Sequence, residues 1–158
     1  MFLNLPDSDK NKESMQTKKQ AHAVYRCEYH IVISTRYRRH VLRGGVKSYL
    51  NSKLIAVRRF YPDWEFITYN VQSDHVHLVM SFPPKYSPAK VVRIIKENTA
   101  KALRDKFAFL NYVFYGRGGI WSIGYFVSTV GLDEETIEKY VQYQQKEDLG
   151  QAFRLEGK

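Results

Sequence analysis

The chain has 158 residues, of which 44% are hydrophobic and 15% aromatic, and its net charge is +9. This length suits one domain with a hydrophobic core, and the composition excludes an intrinsically disordered chain. The single cysteine, Cys27, excludes a disulfide framework and a thiolate metal cluster. The basic charge favours a polyanionic partner, most often nucleic acid, with drift towards a basic composition as the alternative.

The two ends of the chain are predicted to be tails around one domain. Residues 1–18 are polar and lack hydrophobic periodicity, which predicts a flexible tail, and residues 151–158 are assigned to a C-terminal tail. A single domain is expected over 19–150. The start lacks a signal-peptide pattern, and the longest uncharged run, 118–132, is shorter than the roughly 20 residues of a membrane helix. We therefore expect a cytoplasmic protein with no membrane partner.

The first half of the chain predicts strand, helix and hairpin in that order. Residues 24–35 are β-branched and aromatic, which predicts a strand, and a basic turn follows. Residues 46–61 repeat apolar side chains at helical spacing and end before Pro62. Two strands within 64–82, joined at a short polar turn, predict a hairpin.

The second half predicts a helix, a strand and a last helix. Residues 87–109 form a long amphipathic pattern with Ser87 as its N-cap, and a strand is expected over 120–130. Asp133 caps a helix over 134–147. The order β-α-β-β-α-β plus one helix matches a ferredoxin-like, or RRM-like, α+β fold, an antiparallel sheet with helices on one face.

Two histidines interrupt an otherwise apolar strand, "SDHVHLVMSF". His75 and His77 point to the same face because strand residues two apart do so. Paired imidazoles at this spacing can bind one divalent metal, and the alternative is that they stack on bases or are solvated. Two ligands do not complete a metal site, so a third is needed.

The last helix offers a candidate third ligand. Tyr140 and Gln144 lie four residues apart on one helix face, together with Ile137 and Val141. If this face docks near the histidine strand, Gln144 can offer an amide oxygen to the metal while Tyr140 faces the substrate. The alternative is an ordinary amphipathic helix whose tyrosine packs against the core.

The segments "DHVHLVM", "GYFVSTVG" and "IEKYVQYQQ", in that order after "YHIVISTRYRRHVL", resemble the TnpA-type single-tyrosine transposases of bacterial and archaeal insertion sequences. These belong to the HUH (His-hydrophobic-His) nuclease superfamily. The resemblance runs from about residue 25 to 145 and implies that His75, His77 and Gln144 hold a metal and that Tyr140 is the nucleophile. Tyr143 is the alternative nucleophile, but it is followed four residues later by Glu147 instead of glutamine.

The resemblance also implies the reaction and the partners. It predicts a DNA transposase that cuts and rejoins single-stranded DNA through a 5′-phosphotyrosine, recognises end hairpins and associates with the nucleoid. It further implies a homodimer with shared active sites. Two imidazoles and an amide leave coordination positions for water and phosphate, which favours Mg²⁺ or Mn²⁺ over zinc. The alternatives are a domesticated single-tyrosine nickase and an RRM-like nucleic-acid-binding module, which would need aromatic residues on its central strands.

Basic residues near aromatic ones predict DNA contacts. The candidates are Arg36, Tyr37, Arg38, Arg39, Arg93 and Lys96. A solvated basic face is the alternative. Strand alternation places Asp74 on the face opposite the histidines, so only a supporting role is expected for it. The long uncharged strand over 120–130 would be a liability as an exposed edge, and pairing with a second copy would cover it, with Gly131 as a hinge for the tyrosine helix.

Overall fold

The computed structural model describes residues 17–20, 23–25, 27–115 and 119–156. Residues 1–16 of the predicted tail lie outside the described residues, as do the last two residues of the chain. The elements, in chain order, are β1 (Lys18–Gln20), β2 (Ala23–Tyr25), β3 (Tyr29–Ser34), a 3₁₀ turn (Arg36–Arg38), α1 (Gly44–Ala56), a second 3₁₀ turn (Val57–Arg59), β4 (Glu65–Val71), β5 (His75–Ser81), α2 (Pro88–Lys106), α3 (Leu110–Val113), β6 (Phe126–Ser128) and α4 (Glu134–Glu156).

Four strands form an antiparallel sheet in the order β4-β5-β3-β6. With α1 and α2 as crossovers, this order is the ferredoxin-like arrangement, so the predicted α+β fold is confirmed. The predicted hairpin within 64–82 is confirmed as β4 and β5. The Ser87 cap is confirmed as well, because its hydroxyl accepts a hydrogen bond from the Lys90 backbone N–H at 3.1 Å.

The predicted first strand, 24–35, is divided between two sheets. Its start belongs to β2, which pairs with β1 in a small separate hairpin, and its end is β3 of the main sheet. Lys18, the last residue of the predicted tail, begins β1. The prediction of one continuous strand was wrong because β propensity reports a pleated, half-buried surface and does not reveal which partner each part of a segment pairs with.

The two faces of the sheet have different chemistry because residues along β3 and β5 alternate between them. One face is covered by α1 and α2, and its central aliphatic side chains are at most 1% exposed: Ile31, Ile33, Val76 and Leu78. The other face carries the histidines of β5 and Val32 of β3, and His77 is the register partner of Val32. Helix α4 packs on this second face, where Ile137, Tyr140 and Val141 form a cluster with Val32.

The predicted strand over 120–130 is much shorter in the structure. Only Phe126–Ser128 pairs with β3, and Trp121 forms an isolated bridge with Thr35. Between them, the carbonyl oxygens of residues 122–124 accept hydrogen bonds from the Lys96 ammonium at 2.7, 3.2 and 2.7 Å. Carbonyls turned towards a lysine are not available to a strand ladder, and this interrupts the strand.

Helix α4 is longer than predicted. Its start is confirmed, because Asp133 Oδ1 accepts a hydrogen bond from the Thr136 N–H at 2.7 Å. The helix continues to Glu156 through most of the segment assigned to a C-terminal tail. Asp148, one residue beyond the predicted end, is fully buried and bonded to the backbone N–H of Tyr37, and this tertiary contact favours continuation of the helix.

In the part of the chain that the structure describes, no helix combines the length and the apolar character needed to cross a membrane.

The burial of α1 can be tested with two neighbouring residues. Leu54 is fully buried, whereas Ile55 is 47% exposed. We expect Leu54→Ala to lower the free energy of unfolding by about 2–5 kcal/mol, because it leaves a cavity under the sheet. Ile55→Ala should change it by only about 0.5 kcal/mol. Urea unfolding followed by circular dichroism measures both, and equal losses would contradict the orientation of this helix.

Candidate active site

The two histidines begin β5 on the sheet face that α4 covers. The Nε2 atom of His77 is buried and has no hydrogen-bond partner among the residues that the structure describes. Burial lowers the pKa of His77, and the neighbouring His30 and His75 lower it further. The ring of His30 lies 5.6 Å from that of His77, centroid to centroid. His77 is therefore a neutral imidazole at neutral pH, with an unused nitrogen.

Asp74 holds His75 in one tautomer. Burial raises the pKa of Asp74, but hydrogen bonds from His75 and Arg38 outweigh it and bring the pKa to about 2. The ionised carboxylate only accepts hydrogen bonds, so His75 Nδ1, 2.8 Å from Asp74 Oδ1, carries the proton. In the neutral imidazole the lone pair is then on Nε2. The expectation that Asp74 lies on the opposite face was wrong, because Asp74 precedes the strand and belongs to the turn, where alternation does not apply.

Arg38 connects the histidine strand to the tyrosine helix. Its Nε donates to Asp74 Oδ2 at 2.8 Å, and its Nη2 donates to Glu138 Oε1 of α4 at 2.5 Å. Arg38 and Tyr37 both adopt positive φ angles, 55° and 56°, which are costly for residues with side chains. The contacts of Arg38 and the bond from the Tyr37 N–H to Asp148 hold this turn in place.

Tyr140 and Gln144 are in contact on the buried face of α4. The Tyr140 hydroxyl donates to Gln144 Oε1 at 3.3 Å, and its ring packs 5.6 Å from that of Phe126. Burial raises the pKa of Tyr140 above its usual range, and Asp148 and Tyr143 add to the shift. Tyr140 belongs to the same buried cluster as Val32, the register partner of His77. Tyr143, in contrast, is 57% exposed.

The predicted DNA-contact residues fall into two groups. Arg36 is buried, with its guanidinium over the Tyr37 ring, and Arg38 is occupied by two carboxylates. Lys96 is half-buried, which lowers its pKa to about 8, and its ammonium has three carbonyl acceptors. The structure thus gives Arg38 and Lys96 contacts within the chain that compete with the predicted phosphate contacts. Arg39 and Arg93 are exposed, and for them DNA contact stays a prediction.

Comparison with known proteins decides the family. The family model described as "Transposase IS200 like" matches residues 23–144. The chain belongs to the IS200-like transposases. It is 30% identical over 142 residues to the transposase for insertion sequence element IS200 of Salmonella typhimurium, covering 87% of this chain and 90% of that protein.

Two Deinococcus radiodurans comparisons agree with this family. The chain is 32% identical over 133 residues to the ISDra2 transposase TnpA, covering 82% of this chain and 92% of the relative. A crystal structure from strain R1, also described as a transposase, superposes with a TM-score of 0.69 at 28% identity, covering 80% of this chain and 97% of that one. The activity of this IS200-like transposase is therefore DNA strand transfer in the movement of an insertion sequence.

Three residues near Tyr140 of this IS200-like transposase were not predicted from the sequence. Asp148 and Ser122 are buried and joined by a 2.6 Å hydrogen bond, and Gly124 lies against Gln144. One signal was present, since Asp148 continues the four-residue spacing of Tyr140 and Gln144 along one helix face. Ser122 and Gly124 carried no such signal, because they sit in a segment that was predicted to be a regular strand.

The close approach of Gln144 to Gly124 can be tested directly. An added methyl group there would overlap Gln144 Oε1 and lie 3.5 Å from the Tyr140 hydroxyl. We expect Gly124→Ala to displace the Gln144 amide from the Tyr140 hydroxyl and to reduce DNA cleavage at least about tenfold, the lower end of the range for disturbed supporting contacts in an active site. The control is Gly150→Ala, an exposed position of α4 where an added methyl meets nothing within 4 Å. Cleavage assays and thermal melting compare the two, and a fully active Gly124→Ala protein would contradict the close approach.

Proposed function

We propose that this IS200-like transposase cuts and rejoins single-stranded DNA at hairpin-bearing ends of its insertion sequence, with Tyr140 as the nucleophile and a divalent metal at His75, His77 and Gln144. One observation carries the proposal. The two histidines and the Tyr140–Gln144 pair belong to the same side of the sheet, where α4 packs beside the histidine strand. An RRM-like binding module would not need an unpaired imidazole nitrogen there.

The donor set fits a divalent metal. His77 has a buried Nε2 that no described residue bonds, and because Asp74 occupies the Nδ1 of His75, its Nε2 is the nitrogen that His75 would offer to a metal. Among the described residues no third histidine, cysteine, aspartate or glutamate forms a metal-binding group with them, which leaves the Gln144 oxygen as the proposed third ligand. A bound Mg²⁺ or Mn²⁺ would polarise the scissile phosphate and stabilise charge on its oxygens during in-line displacement.

Tyr140 would act as a covalent nucleophile. Its oxygen would form a bond to the 5′ phosphorus while the bond from phosphorus to the upstream 3′-oxygen breaks. The phenol gives up one proton and the departing 3′-oxygen takes one up, which leaves a 5′-phosphotyrosine and a 3′-OH. The phosphodiester is conserved in the adduct, so a second 3′-OH can reseal the strand without ATP. The raised pKa of Tyr140 indicates that the phenol stays protonated until DNA is bound.

Covalent capture of DNA tests the nucleophile. We expect the protein, incubated with Mn²⁺ and a labelled single strand from the DNA flanking its gene, to give an adduct that survives a denaturing gel. Tyr140→Phe should abolish the adduct because it removes the attacking oxygen. The matched control is Tyr143→Phe, an exposed phenol on the same helix, which should keep it.

The reverse result, an adduct lost in Tyr143→Phe and kept in Tyr140→Phe, would identify Tyr143 as the nucleophile. The same assay with chelator or with His77→Ala should give no adduct, while binding of the strand persists, because phosphate contacts made elsewhere supply most of the affinity. Loss of both binding and cleavage in His77→Ala would favour base stacking by the histidines.

The assembly that accompanies this proposal is a homodimer in which Tyr140 of one protomer serves the histidines of its partner. Within the described chain α4 packs on its own sheet, so sharing requires that this helix move to the partner. The connection to α4 leaves room for this, because Val130 is 72% exposed and an added methyl at Gly131 meets nothing within 4 Å. The argument from a long edge strand is weakened, since β6 has only three residues.

Mixing two inactive variants tests the shared site. After subunit exchange between His77→Ala and Tyr140→Phe has been verified, a shared arrangement restores one intact site in each heterodimer. Random pairing at equal concentrations should then recover about a quarter of wild-type sites in the adduct assay. Proven exchange without recovery would show that each protomer uses its own tyrosine.

A further inference from the structure

Asp148 is a fully buried carboxylate one helical turn beyond Gln144. Its Oδ2 accepts hydrogen bonds from the Ser122 hydroxyl at 2.6 Å and the Tyr37 backbone N–H at 2.9 Å. Its Oδ1 accepts a third, at 3.3 Å, from Nε2 of Gln144. An isolated buried carboxylate is unfavourable, and these three donors compensate its desolvation.

The carboxylate determines which end of the Gln144 amide faces it. A carboxylate only accepts hydrogen bonds, whereas an amide has a donor end and an acceptor end. Gln144 must therefore turn its NH₂ towards Asp148 and its oxygen towards the Tyr140 hydroxyl, as observed. The opposite orientation would bring two acceptors, the amide oxygen and Asp148 Oδ1, together inside the protein.

We propose that Asp148 is a positioning residue that keeps the side-chain oxygen of Gln144, and not its NH₂, directed to the Tyr140 side where the metal would bind. The inference rests on the proposed function, since only the amide oxygen can serve as a metal ligand. It explains why a buried position of this helix carries a carboxylate where an aliphatic side chain would pack without a desolvation penalty.

Two variants invert and then restore the pattern of donors and acceptors. In Asp148→Asn, the new oxygen still accepts from Ser122 and the Tyr37 N–H, so the new NH₂ faces Gln144 and turns that amide around. Adding Gln144→Glu restores an oxygen on both sides, because one carboxylate oxygen accepts from Asn at 148 and the other faces Tyr140. The double variant also keeps the net charge of the original pair.

The measurement is the Mn²⁺ affinity of the full-length protein, from the electron paramagnetic resonance signal of free Mn²⁺, with thermal melting as the check of folding. We expect Asp148→Asn to weaken Mn²⁺ binding about 10–100-fold, the range for residues that orient a ligand. The double variant should regain most of the affinity. Glu147→Gln, which removes the same charge from the neighbouring exposed position, should bind like the parent.

Each other outcome would contradict either the positioning role of Asp148 or the proposed metal site. Unchanged Mn²⁺ affinity in Asp148→Asn, or an equal deficit in the single and double variants, would overturn the positioning role alone. Failure of both variants to fold would show that Asp148 only fastens the helix, and would overturn it too. A parent protein whose Mn²⁺ affinity does not depend on His77 would overturn the proposed metal site itself, and the inference with it.

Discussion

The turn of Arg36–Arg38 joins the two halves of the site, and the geometry of the active face depends on it. The Arg38 guanidinium bonds Asp74 beside the histidine strand and Glu138 on the tyrosine helix, and the adjacent Tyr37 N–H bonds Asp148 in the second half of that helix. The turn adopts two positive φ angles to make these contacts. Such strain persists only where surrounding contacts over-determine it, and here those contacts orient the helix on the sheet.

The charge states of the side chains on this face are those expected before metal and DNA bind. Burial lowers the pKa of His77, which favours the neutral imidazole that a metal would require. Asp74 occupies Nδ1 of His75, so Nε2 is the nitrogen that this ring would offer to a metal. Tyr140, in contrast, is buried, hydrogen-bonded to Gln144 and has a raised pKa. The proposed nucleophile is thus kept protonated before metal and DNA bind. In the proposed mechanism the arrival of metal and DNA would change the field around Tyr140.

The segment between Ile120 and β6 connects this face to the rest of the protein. Lys96 of α2 binds its carbonyls, Ser122 bonds Asp148, and Gly124 allows Gln144 to approach. An irregular segment gives the backbone and side-chain directions that these three contacts need, which a regular strand ladder would not. This segment therefore contacts both α2, which packs on the hydrophobic core, and the tyrosine helix on the opposite face of the sheet.

The sequence by itself determined the ferredoxin-like order of elements, the confirmed β4–β5 hairpin and the family, because these depend on local periodicity and on short motifs such as "DHVHLVM". Its choice of His75, His77, Tyr140 and Gln144 stays a prediction, which the shared face supports. Only the tertiary structure decided the division of the first strand, the shortness of β6, the full length of α4 and the roles of Asp74, Lys96 and Asp148. Each of these depends on hydrogen bonds between residues far apart in the chain or at the irregular ends of elements, where alternation and helical spacing carry no information.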